Sequence, residues 1–337
     1  MSPRRSWALG LSLALTLVAG LLSPTLAAAQ APPPFAGADV PAYQHIFVIM
    51  MENHSYDEII GNSDAPEINA LAQTYGLATD YYAVTHPSEP NYLASVAGTY
   101  FGIQDDAPPT APGHTHDAPS IVDQLEARGL TWKTYQQALP YAGFTGASSP
   151  PGNALYAVKH NPFAFFARVQ GDPAELQRMV PDTQLAADLA GGDVPNFAYI
   201  APDQCHDMHG LASCGDDTTL IRQGDAYVAA TVARIMAAPV WRRGNTAIVV
   251  TWDENDFSTT GVTGCCDANP GGGHVATIVI ANHGPRGVRD ATPYNHYALL
   301  QTVEDAFRLG CLAATCDRAA VRPLAPLFAV GRADRGD

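Results

Sequence analysis

Two apolar runs fix most of what this chain can become. Residues 45–51 read HIFVIMM and residues 246–252 read TAIVVTW, and neither alternates apolar with polar. A strand that is apolar on both faces must be covered on both, which is the situation of a parallel sheet between layers of helix. Shorter runs of the same kind stand at Trp132–Tyr135, Asn196–Ile200 and Val275–Ala281. Helical patterns separate them, at Glu67–Tyr75, Ser120–Arg128, Thr183–Leu189, Leu220–Ala238 and His296–Leu309. In the fourth, Val228, Val232, Ile235 and Met236 form one stripe; in the last, Leu299, Leu300, Val303 and Phe307 do so. This alternation predicts an α/β fold: a central, mainly parallel sheet flanked by helices on both faces, a three-layer sandwich. The Gly/Pro-rich stretch 138–165 reads as a substrate-side excursion from one domain covering 42–330, with a tail at 331–337.

Ligands of such sheets lie beyond the carboxyl ends of the strands, so the residues after each apolar run matter most. The first run leads straight into Glu52-Asn53-His54-Ser55-Tyr56-Asp57 and the second into Asp253-Glu254-Asn255-Asp256. Several carboxylates at one sheet mouth repel one another unless a cation sits among them. Solvated loop acids are the competing reading. The segment His86-Pro87-Ser88-Glu89-Pro90-Asn91-Tyr92 then opens a small-residue helical pattern. Ser88 before that helix is either an ordinary N-cap or a nucleophile placed where a phosphate would bind. Two histidine segments follow: Asp203 through Cys205-His206-Asp207-Met208-His209, and Asn295-His296-Tyr297. Asp207, His209 and His296 are candidates for a second metal shell or for donors to a phosphate, against a structural role for each histidine.

The first thirty residues read as an address. Arg4 and Arg5 precede an apolar stretch from Trp7 to about Leu22 and the small-residue run Ala27-Ala28-Ala29. That is a signal peptide over 1–29, by the general or the twin-arginine route, with a membrane anchor as the alternative. A Pro/Ala-rich leader covers 30–41. The chain carries 18 basic and 33 acidic residues, a net charge of −15. Losing residues 1–29 removes two Arg and no acid and leaves −17. Such a chain, without a Lys/Arg cluster, is expected neither to bind nucleic acid nor to insert stably in a membrane. Its six cysteines suit an oxidising compartment, secreted or periplasmic. Cys205–Cys214 and Cys311–Cys316 are the candidate local bridges, with Cys265-Cys266 left as an adjacent pair. A structural zinc on Cys205, His206, His209 and Cys214 competes with the first of these.

Taken in order, these blocks resemble the bacterial phosphoesterase family that unites secreted acid phosphatases with phospholipases C, within the alkaline phosphatase superfamily. The resemblance covers roughly residues 43–310 and rests on Glu52-Asn53, Pro87-Ser88-Glu89-Pro90-Asn91-Tyr92, Asp207-Met208-His209, Thr251-Trp252-Asp253-Glu254 and Asn295-His296-Tyr297. It is closest to the small secreted acid phosphatases, including a type that acts on a phosphoinositide. It implies one or two divalent cations (Zn, Mg, Mn or Ca) held by Glu52, Asn53, Asp253 and Glu254. Ser88 is then a nucleophile that touches the metal and forms a phosphoserine, and Asn53, Asn91 and the N–H groups after Ser88 bind the phosphoryl oxygens. Asp207, His209 and His296 fall on the second-metal or leaving-group positions. The chain stops soon after the His296 helix, which favours a phosphomonoesterase over a phospholipase C-type diesterase with a lipid-accepting mouth at Phe163-Ala164-Phe165-Phe166. A non-catalytic secreted phosphate- or metal-binding protein is the reading from another class.

Overall fold

The computed structural model describes residues 40–256, 263–268 and 270–330. The expected signal peptide at 1–29, the leader through residue 39 and the tail at 331–337 lie outside the described residues. Eight strands make one sheet. In chain order they are β1 (His45–Met51), β2 (Gly76–Ala78), β3 (Trp132–Gln136), β4 (Met179–Pro181), β5 (Phe197–Ala201), β6 (Thr246–Trp252), β7 (Thr277–Ala281) and β8 (Arg289–Asp290). Across the sheet the order is β8-β2-β7-β6-β1-β5-β3-β4.

The centre is parallel. Strand β1 pairs with β6 from His45↔Thr246 to Met51↔Trp252 and with β5 from Ile46↔Phe197 to Ile49↔Ile200. Every residue of β5 and β6, and all of β1 but His45, is buried, which is why these segments are apolar without alternation. Strand β7 departs from the parallel pattern and runs antiparallel to both β6 and β2. The three strands that carried no sequence signal, β2, β4 and β8, are two or three residues long, too short for any periodicity.

The predicted helices appear as α1 (Pro66–Thr74), α3 (Ile121–Ala127), α4 (Gln184–Gly191), α5 (Asp217–Ala237) and α6 (His296–Phe307). Helix α2 (Ser88–Ala97) is the small-residue segment after Pro87. Its residues are all buried, and alanines and serines let it pack that deeply. Side chains cap the starts of α5 and α6: Asp216 accepts from the Thr219 N–H at 3.0 Å and Asn295 from the Ala298 N–H at 3.2 Å. Among the described residues, no helix is long and apolar enough to cross a membrane. The stretch Phe163–Phe166 is core, at most 3% exposed, and builds no lipid-accepting mouth.

Helix α6 is buried along its whole length and carries a carboxyl into the core. Glu304 accepts one hydrogen bond, from Gln124 at 3.2 Å, through Oε1, while its Oε2 has no hydrogen-bond partner. Burial pushes its pKa up to about 8. The native form therefore holds this proton more tightly than the unfolded chain, and the stability it provides is present at low pH and lost as pH rises toward 8. Glu304→Gln is expected to raise Tm at pH 8 and to leave it nearly unchanged at pH 5; a thermal melt series over that range checks the sign.

Candidate active site

Three neighbouring strands deliver their following residues to one place. Glu52 and Asn53 follow β1, Asp253 and Glu254 follow β6, and Asp207 follows β5 by a short loop. The backbones are tied at this edge: the Asp253 N–H donates to Met51 O at 2.9 Å and the Glu52 N–H to Asp207 O at 2.8 Å. Asn53 takes φ +43, a left-handed conformation that Asn tolerates better than most residues. There its N–H donates to Asp253 Oδ1 at 3.2 Å and its Nδ2 to Glu254 Oε1 at 3.4 Å. Met208, at φ +84, fits against the bare Gly224 of α5 and separates Asp207 from His209.

Ser88 is the first residue of α2 and does not cap it; Pro87 holds the cap position. The buried Ser88 hydroxyl instead donates to Glu52 Oε2 at 2.9 Å and lies 3.3 Å from Glu254 Oε1. Stretches separated by 36 and 166 residues thus meet at a single oxygen. Glu254 also pairs with His86 in the loop before the helix.

Two residues of the 138–165 excursion, absent from the sequence-based set, complete the cluster. His160, buried and stacked on Tyr92 of α2 at 5.3 Å, sits between Glu52 Oε1 and Asp207 Oδ2, at 3.1 Å from each. One ligand atom each from Glu52, His160 and His209 lie within 4.8 Å of one another. Lys159 donates toward Ser88 Oγ at 3.3 Å, Asp106 Oδ2 at 3.1 Å and His209 Nε2 at 3.0 Å. The sequence signal for both was a Lys-His pair in a loop already read as facing substrate, with no strand or helix pattern to aim it.

The electrostatics are those of a cation site. Burial drives Glu52 above the ordinary carboxylate range, and drives Asp207 and Asp253 well above it; Glu254 is pushed up to about 7, again by burial. Burial also holds the His160 imidazole neutral, as a metal ligand requires. Glu52 Oε1, Asn53 Oδ1, His160 Nε2, Asp207 Oδ2 and Asp253 Oδ2 are all buried without a hydrogen-bond partner. Orphaned acceptors at this density are rare in folded proteins, and oxygen and imidazole atoms of this kind are those a divalent ion takes as ligands. The residues present fit such an ion.

Three expectations are corrected. His296 does not join the cluster: its Nε2 bonds the Asp253 carbonyl at 2.6 Å and its Nδ1 the Tyr81 hydroxyl at 3.1 Å, so neither nitrogen is open to metal or leaving group. Its burial lowers its pKa to about 4, and it acts as a strut under Asp253. Asn91 offers nothing to a phosphate, because Oδ1 accepts from the Val84 and Thr85 N–H groups and Nδ2 donates to the Thr85 and Pro87 carbonyls. It pins the loop that presents Ser88. The amides after Ser88 are likewise committed, since that of Glu89 donates to Asp106 Oδ1 at 2.9 Å and residue 90 is proline. Asn91→Ala should cost about 3 kcal/mol, by leaving buried N–H groups unpaired; a lower denaturant midpoint at unchanged slope checks this.

The cysteines settle the competing zinc. Cys205 is bridged to Cys214, so neither thiol can ligate, and His209 turns to the cluster instead. Cys311 pairs with Cys316, and the adjacent Cys265 and Cys266 are joined to each other.

Comparison with known proteins agrees with this geometry. The chain is 31% identical over 273 residues to a protein of Kluyveromyces lactis named "Probable acid phosphatase", covering 78% of this chain and 58% of that protein. It is 30% identical over 275 residues to the phosphatidylinositol-3-phosphatase of Mycobacterium tuberculosis, covering 81% and 80%. Among solved structures, a Vibrio parahaemolyticus protein of the alkaline phosphatase superfamily superposes with a TM-score of 0.55 at 13% identity, over 85% of this chain and 70% of that one, a likeness of fold. With the model of the Phosphoesterase family matching residues 62–310, the chain belongs to that family.

Proposed function

We propose that this chain is a secreted, metal-dependent phosphatase that hydrolyses phosphomonoesters, phosphoinositides among them, through a phosphoserine at Ser88. The observation that carries this reading is the Ser88 hydroxyl, buried at a helix start 2.9 Å from Glu52 and beside five orphaned ligand atoms. Relatives named acid phosphatase and phosphatidylinositol-3-phosphatase support the substrate class. The signal-peptide pattern of residues 1–29 supports export.

Glu52, Asn53, Asp253 and Glu254 would hold the ion, with Asp207, His160 and His209 completing the shell on the Glu52 side. A divalent cation there supplies the positive charge that makes a serine hydroxyl acidic and offsets phosphoryl charge. Ser88 passes its proton to the neighbouring Glu52 carboxylate, and Oγ attacks phosphorus as the ester oxygen leaves. The leaving oxygen takes its proton from solvent water, because His209 Nε2 accepts from the Lys159 ammonium and Nδ1 faces the Gly210 carbonyl. The oxygen of water then attacks phosphorus and the Ser–phosphate bond breaks, Glu52 returning its proton to Ser88 Oγ. Acid-quenched enzyme mixed with p-nitrophenyl phosphate should carry one phosphate on the peptide containing Ser88; a phosphate found only elsewhere, or none during steady turnover, overturns the reading.

A further inference from the structure

The nucleophile contacts two carboxylates, Glu52 and Glu254, in a chain whose net charge is −15, and its substrate is an anion. Something besides a bound ion has to face the phosphoryl oxygens. The usual source, the free amides of a helix start, is reduced here, because Asp106 takes the Glu89 N–H and Pro90 has none. Asn91 is closed, its amide spent on four backbone groups. Asn53 Nδ2 faces Glu254. What remains within hydrogen-bond distance of Ser88 Oγ among the described cationic side chains is Lys159, at 3.3 Å.

Lys159 is built into place. Its side chain is 14% exposed, so the ammonium lies at the mouth and not in bulk solvent. Asp106 anchors it at 3.1 Å, and the same carboxylate grips the Glu89 N–H. One acid therefore ties the lysine to the residue next to the nucleophile, and the Nζ-to-Oγ spacing is set by two short links rather than by a flexible stem. On the neighbouring side His160 is locked against Tyr92.

We propose that Lys159 is a specificity-determining residue: its ammonium grips a non-bridging oxygen of the phosphoryl group and selects dianionic monoesters over monoanionic diesters. Asp106 and His209 hold two of the ammonium's three donors, and the third, which faces Ser88 Oγ, is the one that can turn to an oxygen of a phosphoryl group there; its full charge adds an attraction that scales with the charge of the group it meets. A monoester above its second pKa, near 6, carries one more negative charge than a diester. The extra charge sits on an oxygen that a diester spends on its second ester bond. This rests on the reading of Ser88 as the nucleophile, and the test separates the two.

Lys159→Met and Lys159→Arg are compared with the wild-type chain on p-nitrophenyl phosphate and on bis(p-nitrophenyl) phosphate. Lys159→Met is expected to lower kcat/KM for the monoester about 100-fold, the usual consequence of losing one preorganised donor to a charged transition state, and for the diester less than about fivefold. Lys159→Arg should recover part of the monoester rate while the preference stays with the monoester. Inorganic phosphate binding, measured by calorimetry in a Ser88→Ala background with the divalent ion present, should weaken about tenfold on adding Lys159→Met. That measurement needs no turnover, so it holds even if Ser88 proves not to be the nucleophile. Unchanged phosphate affinity, or equal losses on both esters, shows that Lys159 only balances the acids around it and overturns the proposal.

Discussion

Ser88→Ala should lower kcat on p-nitrophenyl phosphate by about 10⁴-fold or more, because the oxygen proposed to form the covalent intermediate is gone. The fold should survive. Ser88 caps nothing, since Pro87 holds the N-cap position of α2, and the methyl left behind fits a helix made largely of small residues. The lost hydroxyl donated to Glu52 and approached Glu254. Both carboxylates belong to the set that fits a cation, so the stability change should stay within about 1 kcal/mol when the ion is present. Unfolding midpoints and near-ultraviolet dichroism of the variant establish that only chemistry was removed. Turnover within about tenfold of wild type would instead make Ser88 a bystander, since a true nucleophile leaves no such remainder.

The sequence revealed the frame of the site better than its walls. Strands β1 and β6 were legible because burial on both faces leaves no room for polar residues, and the carboxylates after them had to share one sheet edge. Their meeting with Ser88 followed from the same rule that places ligands at strand ends. Helix α6 was legible too, but its stripe could not say which partner His296 would meet. The strand-end carbonyl of Asp253 and the Tyr81 hydroxyl come from segments 43 and 215 residues away. Asn91 shows the same limit: three residues after Ser88, its amide could face substrate or backbone, and only the turn before α2 decides. Lys159 and His160 lay hidden for another reason. They sit on a short irregular turn whose direction comes from packing, His160 on Tyr92 and Lys159 on Asp106, and not from any local period. The cluster is therefore divided in origin: strand ends set the acids, and a loop brings the His160 imidazole and the Lys159 ammonium.

Stripping divalent ions should abolish turnover and also lower Tm by several degrees, and restoring the ion should recover both. The second effect separates a structural cation site from a trace activator. Glu52, Asp207, Asp253 and Glu254 are each completely buried, and no arginine is paired with any of them among the described residues. Burial raises the pKa of all four, so without an ion the native state must either take up protons or hold repelling charges. A cation that binds this arrangement and not the unfolded chain stabilises the fold by about 2.7 kcal/mol at a hundredfold excess over its Kd. Because the ligands must be deprotonated to bind, that gain shrinks as the pH is lowered, and the ion-dependent part of Tm should shrink with it. Reconstitution separates the ions: oxygen ligands from Glu52, Asn53, Asp253 and Glu254 accept Mg²⁺, Mn²⁺ or Ca²⁺, while the His160 and His209 nitrogens favour Zn²⁺. Glu52→Gln should weaken any of them, since this carboxylate reaches Ser88 through one oxygen and the His160 side through the other. Full activity and an unchanged melt after exhaustive chelation would mean that protons alone neutralise these carboxylates, and that Ser88 attacks without a metal beside it.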